Sequence, residues 1–456
     1  MRCMSWACAF AFAGSLFIGS AHAQGLRQPL SVRPAAFNYE HYLQDEVASP
    51  SDAAAAAESV VVEEAPADPE SAPAAEAPAA AAPAASSGCN SCSTCAPSCC
   101  TPCCNTGCGC GGGLGEAFSL SDSLLGSCSP WTIGGWVQAG HHNKANNGNL
   151  PAFNNHPTNF NLHQGWFFVE KAAAPTNGDI DWGLRADIMY GVDGADTQAF
   201  GNTQDANNLA RGYDTGWNHG IYGWALPQLY GEIAGDGWSV KAGHFYTLVG
   251  YEVVQAPQNF FYSHSYTQYN SEPFTHTGVL ATYQLNDWIE SYAGWTLGWD
   301  TGFDQFGDGN AWLGGFKATL SDDISVTYIS TIGNFGARGD DGYMSSVVVN
   351  TALTSDIDYI FQSDFLRVDG TGEDTFGINQ YLIYNVSDTL GLGTRMEWYK
   401  TDFFATNNST SAYEWTIGAN VRPHANFTVR PELRQEWVPG LNYDQTIFGV
   451  DAYVTY

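Results

Sequence analysis

From Trp131 to the end of the chain, apolar and polar residues alternate. Tyr413, Trp415, Ile417, Ala419 and Val421 interleave with Glu414, Thr416, Gly418, Asn420 and Arg422. Leu390, Leu392, Thr394, Met396 and Trp398 do the same with Gly391, Gly393, Arg395 and Glu397, as do Trp182, Leu184, Ala186, Ile188 and Tyr190 with Gly183, Arg185, Asp187 and Met189. A period of two with one apolar face predicts half-buried strands. About sixteen such blocks can be counted, each near the length a tilted strand needs to cross a bilayer. The gaps between blocks alternate in length. Compact turns stand at Gly235-Asp236-Gly237, Leu285-Asn286-Asp287, Leu320-Ser321-Asp322, Thr354-Ser355-Asp356, Val386-Ser387-Asp388 and His424-Ala425-Asn426, with a somewhat longer turn from Ala172 to Asp179. Asp and Asn hydrogen-bond their own backbone, which suits them to such turns. The other gaps are longer: 142–159, 191–220, 247–274, 300–310, 333–342, 368–374, 401–411 and 438–444. Short connections on one side and long ones on the other predict an all-β fold, a transmembrane antiparallel β-barrel with an even strand number. A secreted sandwich would turn its apolar faces inward, and its loops would not sort by length.

The last block carries a second signal. Phe448, Val450, Ala452, Val454 and the terminal Tyr456 alternate with Gly449, Asp451, Tyr453 and Thr455, so an aromatic residue ends an apolar-out strand. Trp288, Trp299, Trp398, Tyr399 and Trp437 stand at block ends, where an interfacial girdle would place them. The stretch GHFYTLVGYE from Gly243 to Glu252, followed by Pro273-Phe274-Thr275-His276-Thr277-Gly278, resembles the signature of β-barrel porin family 2, the OmpL-like porins. NQYLIYNVSDTLGLGTRMEWY and the segment Arg430-Pro431-Glu432-Leu433-Arg434 are also similar to that family. The resemblance covers 129–456 and implies a passive outer-membrane channel, commonly a trimer, whose third external loop narrows the pore.

The first 128 residues read differently. Arg2, an apolar run from Trp6 to Ile18, and Ala21-His22-Ala23 predict a signal peptide over 1–23. Residues 24–88 predict a disordered tether. From Asp52 to Ser87 the chain is almost wholly Ala, Pro, Glu, Asp, Ser and Val, and its recurrent prolines block helix propagation. The segment 89–128 is cysteine-rich, with Cys89, Cys92, Cys95, Cys99, Cys100, Cys103, Cys104, Cys108 and Cys110, then Cys128. The first four reproduce an iron–sulfur ligand spacing, but Cys100 stands where proline usually follows and no second run exists. An exported chain meets oxidants, which favours disulfides within the segment or to neighbouring molecules over a soft-metal site. Cross-linking of that kind would make the barrel an organiser of the envelope, the alternative to transport.

Composition narrows the function. Lys plus Arg is 16 against 47 Asp plus Glu, a formal charge of −31, which excludes nucleic acid as a partner. Residues 131–456 alone hold 13 basic and 35 acidic residues, a difference of −22. If lipid meets the apolar face, the other face lines water. That assigns Arg185, Asp187, Glu232, Lys241, Glu290 and Lys317 to the interior of one half of the sheet. Arg395, Glu397, Glu414, Arg422, Arg430, Glu432, Arg434, Glu436 and Asp451 fall in the other half. Arg395, Arg422, Arg430 and Arg434 would form a basic strip on three consecutive strands. The third external loop, 247–274, carries Glu252, Tyr269 and Glu272 and lies well away from that strip along the sheet. Two readings stay open: a transverse field between loop carboxylates and the arginines, or arginines paired with Glu397, Glu432 and Glu436 as a structural ladder. The expected partners are outer-membrane lipid, ions and small polar solutes, with selectivity leaning towards cations. No cofactor or metal is implied. His244, His264 and His276 with Ser263 and Ser265 form no spacing that enforces a catalytic triad, so an enzyme is not expected. Arg338-Gly339-Asp340 reads as a solvated turn.

Overall fold

The structure, a computed structural model, describes residues 114–456 apart from 147–149, 151, 177, 205–209, 337–340, 370–371 and 403–408. The signal sequence, the tether, the Arg338 turn and all the cysteines but Cys128 lie outside the described residues.

Sixteen antiparallel strands close into a barrel in chain order. They are β1 (Thr132–His142), β2 (Phe160–Lys171), β3 (Asp181–Gly191), β4 (Gly223–Gly235), β5 (Trp238–Tyr246), β6 (Thr275–Asn286), β7 (Ile289–Thr296) and β8 (Asn310–Ser321). The second half comprises β9 (Ile324–Asn334), β10 (Asp341–Ala352), β11 (Ile357–Val368), β12 (Glu373–Ser387), β13 (Leu390–Thr401), β14 (Thr410–His424), β15 (Phe427–Val438) and β16 (Tyr443–Thr455). Short helices are α1 (Leu120–Leu125) before the barrel, α2 (Val192–Thr197) after β3 and α3 (Tyr266–Ser271) in the third long loop. Phe200–Gln204 and Ala210–Gly212 make a separate ribbon. The short and long connections fall where the hydrophobic alternation placed them. The barrel closes where β1 pairs with β16, from Trp136 opposite Thr455 to His142 opposite Gly449. Tyr456 completes that seam, its N–H donating to the Gly135 carbonyl and its hydroxyl to the Trp166 carbonyl.

The alternation is inverted relative to a soluble sheet. On β14, Trp415 is 48% exposed while Glu414 and Thr416 are fully buried. Ile417, Leu433 and Phe448 sit side by side on β14, β15 and β16 and face out, each more than 40% exposed. A closed sheet satisfies every ladder hydrogen bond internally, so an apolar outer belt can meet hydrocarbon. Trp182, Trp288, Tyr283 and Tyr384 stand exposed towards the short turns, and Trp295 and Tyr343 towards the long loops, as an interfacial girdle requires. Two expected girdle members are elsewhere. Trp299 lies in the connection after β7, where it stacks on Phe335, and Tyr399 is on the inward phase of β13, its hydroxyl bonded to Ser271. Placing a charge in the belt is costly: Leu433→Arg is expected to lower unfolding stability by about 2–4 kcal/mol at mid-bilayer depth. Urea titration of vesicle-embedded protein measures this, and an unchanged midpoint would contradict the outward assignment.

The segment before β1 docks on the short-turn end. Ala425 N–H donates to the Leu114 carbonyl, and Asn426 bonds Phe118 through both its side-chain atoms. The same Asn426 amide reaches the Thr455 carbonyl, tying this entry segment to the end of the last strand.

Candidate functional site

The connection between β5 and β6 does not project outwards. Residues 247–274 turn into the barrel and lie against the inner faces of β11 to β16 and of β1 and β2. The segment is irregular and rich in Leu248, Val249, Val254, Phe260 and Phe261, all buried. Irregular backbone at such depth needs partners for its peptide groups. The wall supplies them with charged side chains.

Arg430 donates through Nη1 to the carbonyls of Ala256 (2.8 Å), Asn259 (2.7 Å) and Phe261 (3.0 Å), while its Nε reaches Asp451 on β16 (3.0 Å). Arg395 donates to Glu252 (2.6 Å), the Ser263 carbonyl (2.8 Å), the Ser263 hydroxyl (3.0 Å) and Glu414 (2.6 Å). Arg434 reaches the His264 carbonyl and Glu436 (2.8 Å), with Glu414 3.4 Å away. The acids finish the set. Glu432 accepts the N–H of Tyr262 and Ser263, and Glu397 accepts those of Tyr266 and Thr267, both at 2.7 Å. Strand register makes this possible: Glu397, Glu414 and Glu436 line up across β13, β14 and β15, and Arg395, Thr416 and Arg434 form the adjacent row. Arg395 and Arg434 therefore lie one row from the carboxylates, and Arg430 stands directly opposite Asp451. The guanidinium fork has donors to spare for loop carbonyls.

The wall also leaves room. A Cβ at Gly393 would lie 2.4 Å from the Phe260 ring, one at Gly418 3.2 Å from Phe261, and one at Gly449 3.1 Å from Tyr262. From the β2 side, the Tyr262 hydroxyl meets His163 Nε2 at 2.6 Å, and His163 Nδ1 meets Asp193 of α2 at 2.8 Å. Gln164 donates to Asp193 and to the Val254 carbonyl. Within the loop, burial would raise the Glu252 carboxyl, but Arg395 beside it and the Ser265 N–H it accepts hold it below the ordinary carboxylate range. Burial drives His264 the other way, down to about 4, so its ring is neutral near pH 7.

The remaining charged residues of the interior lie apart from this cluster. Arg185 is half-buried between Asp187 and Glu170 on β3 and β2, and Lys241 sits 4.8 Å over the Tyr230 ring. Glu290 accepts the Tyr292 hydroxyl, and Lys317 is half-buried on β8. Arg422 is buried next to Gly391, its Nη2 without a hydrogen-bond partner among the described residues. The loop residues separate: Glu252 joins the arginines, Tyr269 donates to Asp196 of α2, and Glu272 accepts from Gln362 of β11. Two sequence expectations change here. The loop does not stay away from the basic strip, because its apolar middle carries it across the interior onto that wall. The ladder forms only in part: Glu436 pairs with Arg434 as expected, but Glu414 and Asp451 also take arginines, while Glu397 and Glu432 take loop N–H groups. No group of three metal-ligating side chains occurs among the described residues.

A closed sixteen-stranded barrel with an ionic interior and an inturned third loop is the setting for the family comparison. The family described as "Putative beta-barrel porin-2, OmpL-like" matches residues 130–456. The chain belongs to that family. It is an outer-membrane porin. Among solved structures, the porin is similar to the outer-membrane channel DcaP of Acinetobacter baumannii, at 12% identity over 72% of this chain and 97% of that one, TM-score 0.48. It is also similar to the anion-selective porin from Comamonas acidovorans, at 9% identity over 72% and 99%, TM-score 0.48. The trimer form of OmpT from Vibrio cholerae gives 13% over 72% and 99%, TM-score 0.46. No curated protein matches the sequence.

The porin's wall-to-loop bonds rest partly on residues that alternation alone does not single out. Gln362 and Asp364 lie on the inward phase of β11, while a bulge in β2 turns the consecutive His163 and Gln164 both inward, towards Asp193 of α2, and nothing local marks any of them as loop partners. Glycines 391, 393, 418 and 449, spaced two apart within a strand or facing across neighbours, were the available sign that something approaches the wall there.

Proposed function

We propose that this porin passes ions and small polar solutes by passive diffusion, that the 247–274 loop forms its narrowest section, and that conduction favours cations. The loop's fixation inside the barrel by Arg395, Arg430 and Arg434 is the observation that carries the reading. A segment held to the far wall by a buried ion pair and by arginine hydrogen bonds to its carbonyls narrows the path wherever it crosses. The excess of 22 acidic over basic residues in 131–456 supports the cation preference, since a lumen and mouth of one sign concentrate counter-ions.

Full-length protein reconstituted in planar bilayers is expected to show discrete conductance steps and, under a KCl gradient, a zero-current potential of the sign set by K⁺ permeation. Liposome swelling should fall as sugar size rises. Absence of both conductance and swelling would remove the transport reading, and a potential of opposite sign would remove only the cation preference.

Docking of Leu114 and Phe118 on the 425–426 turn supports a tether that leaves from the short-turn, periplasmic end. Cys128 is exposed there and has no disulfide partner among the described residues. Cross-linking through the cysteine-rich segment is the second reading, and non-reducing electrophoresis of native envelopes separates it: reductant-sensitive ladders support it, single bands oppose it.

A further inference from the structure

Arg185, Arg367, Arg395, Arg430 and Arg434 each pair with a carboxylate. Arg422 pairs with none among the described residues. It stands near the short-turn end of β14, is 3% exposed, and its Nη2 is buried without a hydrogen-bond partner. Asp388, on the exposed turn between β12 and β13, makes no ion pair with it. Two residues back along β14, Asn420 is 1% exposed, and its side-chain oxygen and nitrogen are both buried and unpartnered. A buried guanidinium without counter-charge, beside a buried amide without partner, is strongly unfavourable unless something else satisfies both. Strand register brings these groups to one notch. Asn420 stands opposite Gly391 of β13, and Gly391 opposite Asn385 of β12. Glycine leaves the middle of that row without a side chain: a Cβ there would lie 3.5 Å from Arg422 Nη2, 3.7 Å from Asn385 Oδ1 and 3.2 Å from the Phe260 ring. Asn385 donates its amide N–H to Asp358 (3.4 Å), so its oxygen is the atom left to face the notch.

We propose that this notch seats the carboxylate of a small monocarboxylate solute, with Arg422 and Asn420 donating to its oxygens. The planar guanidinium fork matches a carboxylate. One unpaired cation balances a single negative charge. Asn385 Oδ1, an acceptor facing the same space, disfavours a phosphate dianion, whose oxygens are nearly all acceptors. The Phe260 ring alongside suits the short carbon body behind the carboxylate. The seat lies on the short-turn side of the contact between Phe260 and Gly393, beyond the inturned loop for a solute entering from outside. Its part in transport rests on the diffusion reading, but its existence does not. A preference of the current for cations is compatible with it, since the acidic excess acts on mobile ions at long range and the seat acts at contact.

The test is thermal unfolding of full-length protein in detergent micelles, in sodium acetate, chloride or phosphate at matched ionic strength. A ligand that binds only the folded state raises the midpoint with its concentration. Wild type should rise further in acetate than in either other salt. Arg422→Met keeps the length of the side chain and removes its charge, and should bind acetate about tenfold or more weakly, as loss of a charged hydrogen bond implies. In low salt without acetate it should be at least as stable as wild type, because it removes an unpaired buried charge, whereas a purely structural arginine would leave the variant weaker. Arg367→Met, in an exposed pair at the long-loop end of β11, should keep the wild-type response. An equal acetate response in wild type and Arg422→Met overturns the seat, and so does a wild type that responds to acetate no more than to chloride. A larger response to phosphate overturns the carboxylate assignment. If Arg422→Met does not refold, Asn420→Ala decides by the same comparison of salts. None of these readings uses conductance, so a barrel that binds acetate but fails to conduct sinks the transport reading alone, and a conducting barrel that does not bind sinks the seat alone.

Discussion

Arg395→Ala should both destabilise the porin and free its inner loop, a larger effect than any other single truncation in the barrel. Arg395 has no exposed surface and joins four groups at once: Glu252 and the Ser263 carbonyl and hydroxyl on the loop, and Glu414 on β14. Alanine leaves Glu252 and Glu414 buried without their common cation. Removing one partner of a buried pair costs about 3–5 kcal/mol, because the remaining charge stays desolvated. The protein's cheapest relief is to move Glu252, and with it the loop, towards water. The expected outcome is a lower thermal or urea midpoint together with larger and noisier single-channel conductance. Lysine should not restore either, since a single ammonium cannot bridge Glu414 and the loop as the planar fork does. Arg185→Ala is the comparison. That arginine is half-buried, stacks on Phe168, and among the described residues hydrogen-bonds Asp187 and Glu170 on its own side of the barrel, so its loss should leave conductance near the wild-type value. Unchanged conductance in Arg395→Ala would mean that the loop is not held by this contact.

The same residues show what a sequence can and cannot disclose. Strand positions were legible because period-two alternation is local, and the inverted sense of burial follows from the solvent outside being lipid. The loop ranges were legible because Asp- and Asn-centred turns are short and chemically distinct from the long gaps. Which side chains face inward was legible for the same reason as the strands. What fills the interior was not. Arg430 meets Ala256 across 174 residues of chain, and Glu432 meets Tyr262 across 170, so each contact depends on closure of the whole sheet and on where an irregular segment turns. Alternation can say that Glu397 and Arg395 look the same way, yet it cannot say that one will cap loop N–H groups while the other pairs with Glu414. His244 is instructive in a smaller way: it falls on the outward phase of β5, but it is buried and bonded to Thr277, with Phe303 of an external loop close by. Loops that fold back over the rim hide outward positions that the strand pattern would leave exposed.

Glycines on the inner wall offer a graded way to pry the loop away without touching any charge. Gly393 stands directly beneath Phe260, where a methyl carbon would sit 2.4 Å from the ring, closer than nonbonded carbons approach. At Gly391 the nearest Phe260 atom would be 3.2 Å away, and at Gly418 the nearest Phe261 atom would also be 3.2 Å away. Overpacking a filled interior costs about 1–3 kcal/mol, and it is relieved by shifting whichever partner is softer. The wall is a hydrogen-bonded sheet, whereas the loop is irregular, so the loop gives way. Gly393→Val should therefore raise conductance and admit larger sugars in the swelling assay, with Gly391→Ala and Gly418→Ala giving smaller changes of the same sign. Because the three variants keep every arginine and carboxylate, the zero-current potential should stay close to that of the wild type while the pore size changes. A potential that moved with size would tie selectivity to the loop's exact seat, and three variants indistinguishable from wild type would show that the loop does not limit the path at Phe260.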